Sequence, residues 1–143
     1  MATVFDVAAY IVGNSDFMSG IKLQKLVYFS YLEHLKLHDE ILFQDNFEAW
    51  INGPVVKSLY DAHKIAYIAD KSMFEPYSTL SNNEKQSVDL ALKKYGSLTG
   101  GKLSELSHET TPWINARKGL APRERSRQVL NIADLRAWAR THA

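Results

Sequence analysis

Apolar residues recur one helical turn apart at the start of the chain, where Val4, Val7, Ala8, Ile11 and Val12 form a one-sided stripe. That spacing predicts a first helix with one face turned to a core, ending at Gly13-Asn14. Ser19 is placed to cap the next helix through its hydroxyl. From Ile21 to Leu35 the pattern changes: Leu23, Leu26, Val27, Tyr28, Phe29, Tyr31 and Leu32 cover nearly the whole circumference. A helix that is apolar all round is a buried one, so this segment is expected at the centre of the fold.

After "LHDE" the helical period lapses, and "ILFQDNFEAWIN" reads as a short extended or irregular excursion, a small β element near residues 42–52. Gly53 then permits a sharp change of direction. Pro54, with its φ preset and no amide hydrogen, suits a first helical position. Val55, Val56, Leu59, Tyr60 and His63 follow at helical spacing. The stretch from Trp50 to Val56 is thus predicted to be a strand-to-helix corner with Trp50 as its apolar anchor.

Pro76 argues against a central strand in the connection that follows. Ser81 and Glu84, three apart, predict a capping box that opens another helix, and Gly96 with Gly100-Gly101 punctuates its end. A short helix is expected over 102–107, a further one from Thr111-Pro112, and a last one capped by Asn131 with Ile132, Leu135, Trp138 and Ala139 on one side. No repeat or linker interrupts the pattern. The fold class is mainly α: a compact single-domain helical bundle over 1–143, built around a buried central helix.

Composition narrows the chemistry. The 143 residues are 45% hydrophobic and 23% charged, as in ordinary globular proteins, and long enough to bury about two-thirds of the unfolded surface. Seventeen Lys and Arg against sixteen Asp and Glu leave a formal charge of +1, so no global field draws the chain to nucleic acid or an anionic membrane. There is no cysteine, which removes thiolate catalysis and cysteine-ligated zinc and fits a reducing compartment. No run reaches the length of a membrane span, and the N-terminus lacks the basic start of a secretory signal. A cytoplasmic protein is expected.

Four local patterns suggest chemistry and are each better explained without it. "GSLTGGKL" matches a phosphate-binding loop until its eighth position, where Leu103 replaces the hydroxyl that holds magnesium. A glycine-rich helix break is the plainer reading. His34 and His38 share a helix face but lack an evident third ligand, and they read as solvated residues at a helix end. His108-Glu109 has no accompanying nucleophile. Arg117, Lys118, Arg123, Arg125 and Arg127 form the main basic cluster, without the aromatic interleaving that stacks bases. No catalytic residue, cofactor or metal is expected.

Two longer stretches, "KLQKLVYFSYLEHLKLHDEILFQDNFEAWINGPVVKSLYDAH" and "LSELSHETTPWINAR", resemble the Panacea antitoxin domain, also called the SocA-like antitoxin or phage-associated GepA-like family. The resemblance is carried by Lys22, Leu23, Lys25, Leu26 and Tyr28, by Glu48, Ala49, Trp50, Gly53, Pro54, Val55 and Tyr60, and by His108, Glu109, Pro112 and Trp113. It implies a mainly helical, non-enzymatic domain that neutralises a toxin encoded beside it by direct binding. A role as an adaptor that delivers the toxin to a protease is the alternative, and a nucleic-acid-binding regulator using the basic cluster is a third reading. Nucleic acid is not the expected partner. On this reading Lys22, Tyr28, Asn52, Trp113 and Arg117 contact the partner, while Lys25, Glu48, Trp50, Gly53, Pro54, Tyr60, His108, Glu109 and Pro112 form the framework. The flanks, 1–17 and 119–143, carry no matching residues.

Overall fold

A computed structural model describes residues 1–143. Seven α-helices run in the order α1 (Val4–Gly13), α2 (Gly20–His38), α3 (Lys57–His63), α4 (Asn82–Tyr95), α5 (Gly100–His108), α6 (Thr111–Ala116) and α7 (Ile132–His142). A two-stranded hairpin, β1 (Glu48–Trp50) and β2 (Gly53–Val55), lies between α2 and α3, and a 3-10 turn (Lys71–Phe74) precedes α4. The protein is mainly helical, as its pattern predicts. No helix is long and apolar enough to cross a membrane.

The helix starts follow local chemistry. Ser19 accepts from the Lys22 amide, and Asn131 accepts from the amides of Ala133 and Asp134. Ser81 and Glu84 form the expected capping box. A second box, Thr3 with Asp6, opens α1 and was not anticipated. Two boundaries differ from the sequence reading. Thr99 caps α5, so Gly100-Gly101 opens that helix instead of ending α4. Thr110 precedes α6, which puts Pro112 in the first turn one residue further in than expected.

Every residue of α2 from Leu23 to Leu35 is buried, and α1, α3, α4, α5, α7 and β2 all pack on it. Around it lies one continuous core of 30 buried residues. Tyr28 and Tyr31 meet Phe47 edge to face at 5.2 and 5.1 Å, a geometry that sets the positive ring edge against a negative face.

A buried helix tolerates polar side chains only where a neighbour satisfies them. Gln24 bonds to the backbone of Val56, Lys25 to the Pro54 carbonyl, Ser30 to the Leu26 carbonyl, Glu33 to Lys94 and His34 to Ser87. His34 therefore corrects the reading of a solvated pair: it is 3% exposed and its Nδ1 lies 2.8 Å from Ser87 Oγ. Its ring sits 4.9 Å from that of His38. Burial and the neighbouring His38 charge both push its pKa below the ordinary value.

The corner at residues 50–56 is also corrected. Pro54 does not begin a helix; it sits inside β2, opposite Ala49, and α3 begins at Lys57 with Val56 as its cap. Tertiary partners explain the difference, because Lys25 holds the Pro54 carbonyl and Gln24 holds both polar groups of Val56. Those bonds keep residues 53–56 extended where local propensity favours a helical turn.

Candidate partner-binding groove

The two stretches that stand far apart in sequence, residues 48–60 and 108–113, meet at the hairpin. Gly53 adopts φ +119°, a backbone region that L side chains rarely enter. A Cβ there would also lie 2.4 Å from Ser107 Oγ and 2.8 Å from Lys25 Cε. Glycine is needed twice over, for the turn and for the close approach of α2 and α5.

Side chains from neighbouring elements lock the hairpin. Lys25 Nζ donates to the Pro54 carbonyl at 2.9 Å. Trp113 Nε1 donates to the Trp50 carbonyl at 2.8 Å, and Ser104 Oγ donates to the Asn52 carbonyl. His108 stacks on Trp113 with centroids 4.2 Å apart, its pKa lowered by burial and then by the nearby Lys25 charge. Glu48 accepts from Trp50 Nε1 at 2.8 Å, and Tyr60 meets the Trp50 ring edge to face at 4.9 Å. Pro112 is buried in the first turn of α6, and Glu109 caps the end of α5.

Above this framework opens a groove of about 650 Å³. The start of α2 forms one side with Gly20, Ile21, Gln24 and Lys25; the hairpin forms another with Trp50, Ile51, Asn52 and Val55. Tyr60 and His63 of α3 and the segment Arg125-Ser126-Arg127 close the rest. Gly20 lets the His63 ring pack onto the backbone of α2, since a Cβ there would meet His63 Nδ1 at 2.4 Å. Gln24 Nε2 lies 3.1 Å from His63 Nε2. Burial lowers the pKa of His63, with the Lys25 charge adding to it.

Lys25 is the unusual group on the floor. It is only 2% exposed, and burial pulls its pKa down to about 7. A low-dielectric site disfavours an ammonium, and no carboxylate is bonded to it.

The residues read from the sequence as partner contacts fall in different places. Asn52 is exposed at the hairpin tip and lines the groove. Trp113 is half-buried beneath the tip. Lys22 is half-buried and donates to the Gly96 carbonyl at 2.7 Å, joining α2 to the end of α4. Tyr28 has no exposed surface and bonds to Thr110 Oγ1 at 2.8 Å, so in this fold it offers a partner nothing to touch. Arg117, 7% exposed, is turned inward: it donates to the carbonyls of Ala49 and Glu124 at 2.7 and 2.6 Å and lies over Trp113.

Sequence reasoning missed three elements of the groove. Gln24 carried one signal, an amide beside Leu23 on a helix whose apolar residues cover nearly the whole circumference. His63 and the Arg125–Arg127 segment carried none that pointed to this place. The segment arrives because residues 128–130 run antiparallel beside β1, with Ala49 N–H donating to the Gln128 carbonyl at 2.8 Å and Leu130 N–H to that of Phe47 at 2.9 Å.

Comparison with known proteins agrees with this framework. A family model described as "Antitoxin SocA-like, Panacea domain" matches residues 23–114. No curated protein and no solved structure gives a match. The matched span covers well over half of the chain and holds the hairpin, its underpinning and the groove floor. The chain belongs to the SocA-like antitoxin family, as a Panacea domain.

Proposed function

We propose that this protein is the antitoxin of a toxin-antitoxin pair and neutralises a toxin encoded beside it by direct protein-protein binding in the cytoplasm. The observation that carries the reading is the family match over residues 23–114, which contains the floor of the groove. The groove supports it physically. Protein recognition draws on Trp, Tyr and Arg presented around a concave, partly apolar centre, and Trp50, Tyr60, Arg125 and Arg127 provide these here. Asn52 is the sequence-read contact that lines the groove, with Trp113 supporting the hairpin behind it and Lys22 joining α2 to the end of α4. The absence of cysteine suits a reducing cytoplasm.

Expression of the adjacent reading frame, alone and together with this chain, tests the function. Direct neutralisation predicts growth arrest by the neighbour alone, recovery on co-expression, and a stable complex retained through a tag on this chain. Recovery with disappearance of the neighbour would replace sequestration by delivery to a protease. A harmless neighbour that is not retained would remove the antitoxin reading.

A further inference from the structure

The groove has two origins. Its floor lies within the matched span, whereas Gly20, Ile21 and the Arg125-Ser126-Arg127 wall lie outside residues 23–114. The wall is held at both ends. Arg117 donates to the Ala121 and Glu124 carbonyls before it, and Ala49 N–H bonds to the Gln128 carbonyl after it. The backbone of Arg125 and Arg127, both exposed, is thereby held at the groove edge in advance of any partner.

The charge of the lining is one-sided. Lys25, Arg125 and Arg127 line the groove, and no Asp or Glu does. Three carboxylates on the adjoining segments are already engaged, Glu48 by Trp50, Asp61 by Lys57 and Lys64, and Glu124 by the Ala121 amide, while Asp16 is exposed next to Phe17 outside the lining. Lys25 Nζ carries three donor positions and makes one hydrogen bond, to Pro54.

An apolar edge adjoins this cationic trough. Ile21 is 54% exposed, and beside it the chain turns out Ile65 at 92%, Tyr67 at 87% and Phe17 at 80%. The two segments that carry them run side by side, because Ser19 pairs with Ile68 and Ala69 N–H bonds to the Met18 carbonyl at 2.7 Å. Exposed apolar side chains grouped beside a polar cleft mark an interaction surface.

We infer that the groove receives an acidic segment of the partner protein, with a carboxylate held by the exposed Arg125–Arg127 wall and apolar neighbours resting on Ile21, Ile65 and Tyr67. The assignment rests on the antitoxin reading for the identity of the partner and on charge complementarity for its chemistry. It also gives the two origins distinct roles. The family span supplies a place to dock, and the flanking residues select the sign of what docks there.

Two experiments on the full chain separate this inference from the antitoxin reading. In the first, a displayed library of random peptides is selected on the wild type and on R125E/R127E. Enrichment of Asp or Glu beside apolar residues on the wild type, with affinity lowered about tenfold or more by the double variant, is the expected result. Enriched peptides without acidic residues, or equal binding by both proteins, would overturn it. In the second, R125E/R127E and the control Arg140→Glu, on α7 away from the groove, are co-expressed with the adjacent reading frame. The expected result is loss of rescue by the double variant alone, with its thermal unfolding unchanged, and recovery through toxin substitutions that turn Asp or Glu into Lys or Arg. Full rescue by R125E/R127E would overturn the inference while leaving the antitoxin reading intact. No rescue by the wild type would remove that reading, and the peptide selection would still decide the groove's preference. Steeply salt-dependent binding of duplex DNA, abolished in R125E/R127E and unaccompanied by peptide enrichment, would assign the wall to nucleic acid and overturn the proposal.

Discussion

The floor and the wall of the groove are built from opposite material. On the floor, Gly53 and Lys25 are buried and Trp113 is half-buried beneath the hairpin, all held by contacts between elements distant in sequence. In the wall, Arg125 and Arg127 are exposed and held only through the backbone on either side. Floor residues are therefore committed to the fold, whereas wall residues are free to vary without cost to it.

The contrast is broken most severely at Gly53. Gly53→Ala meets both an unfavourable φ and close contacts with Ser107 and Lys25, and should destabilise the protein by about 3 kcal/mol or more in urea denaturation. A fully stable variant would mean that the hairpin is not gripped as described.

Lys25 sharpens it through pH. Its pKa falls from 10.5 to about 7 on folding, so between those values the unfolded chain binds an extra proton and stability rises with pH. Below about pH 7 both states are protonated and the cost of the buried charge is fully present. Denaturation across that range should show a rise in the wild type that is absent in Lys25→Met. Equal slopes in the two proteins would contradict a buried, desolvated lysine.

Trp50 comes next. Its ring is half-buried, so Trp50→Ala is expected to cost about 2–3 kcal/mol, less than a fully enclosed tryptophan, as read by thermal unfolding. Smaller again is Tyr28→Phe. Thr110 Oγ1 donates to the Ser107 carbonyl, so the Tyr28 hydroxyl is the donor between them, and its loss should cost about 1 kcal/mol. The wall predicts the least: R125E/R127E should change stability by under about 0.5 kcal/mol while removing partner binding. A wall variant that unfolds, or a floor variant that alters only binding, would erase the distinction.

Much of this was legible in the residues. The apolar circumference of 21–35 predicted the central helix, and Ser19, Ser81 with Glu84, and Asn131 marked helix starts that the structure contains. These features are local, because a helix satisfies its own backbone and a cap acts within one turn. The residues of 48–60 and 108–113 were recognisable as belonging together, but their meeting place was not. Pro54 shows why: read locally it opens a helix, but pairing with β1 and the hold of Lys25, twenty-nine residues earlier, keep it in a strand.

Tyr28 and Arg117 make the same point for function. Residue type suggested contacts for both, yet Tyr28 bonds to a residue eighty-two positions away and Arg117 to a carbonyl sixty-eight positions away. The amino-acid order determined the mainly helical class, the caps at Ser19, Ser81 and Asn131, the buried centre and the family. Which polar groups are consumed by the framework, and which remain facing a groove, was set by folding, because hydrogen-bond partners are found across space and a basic run has no direction until β1 captures the chain beyond it.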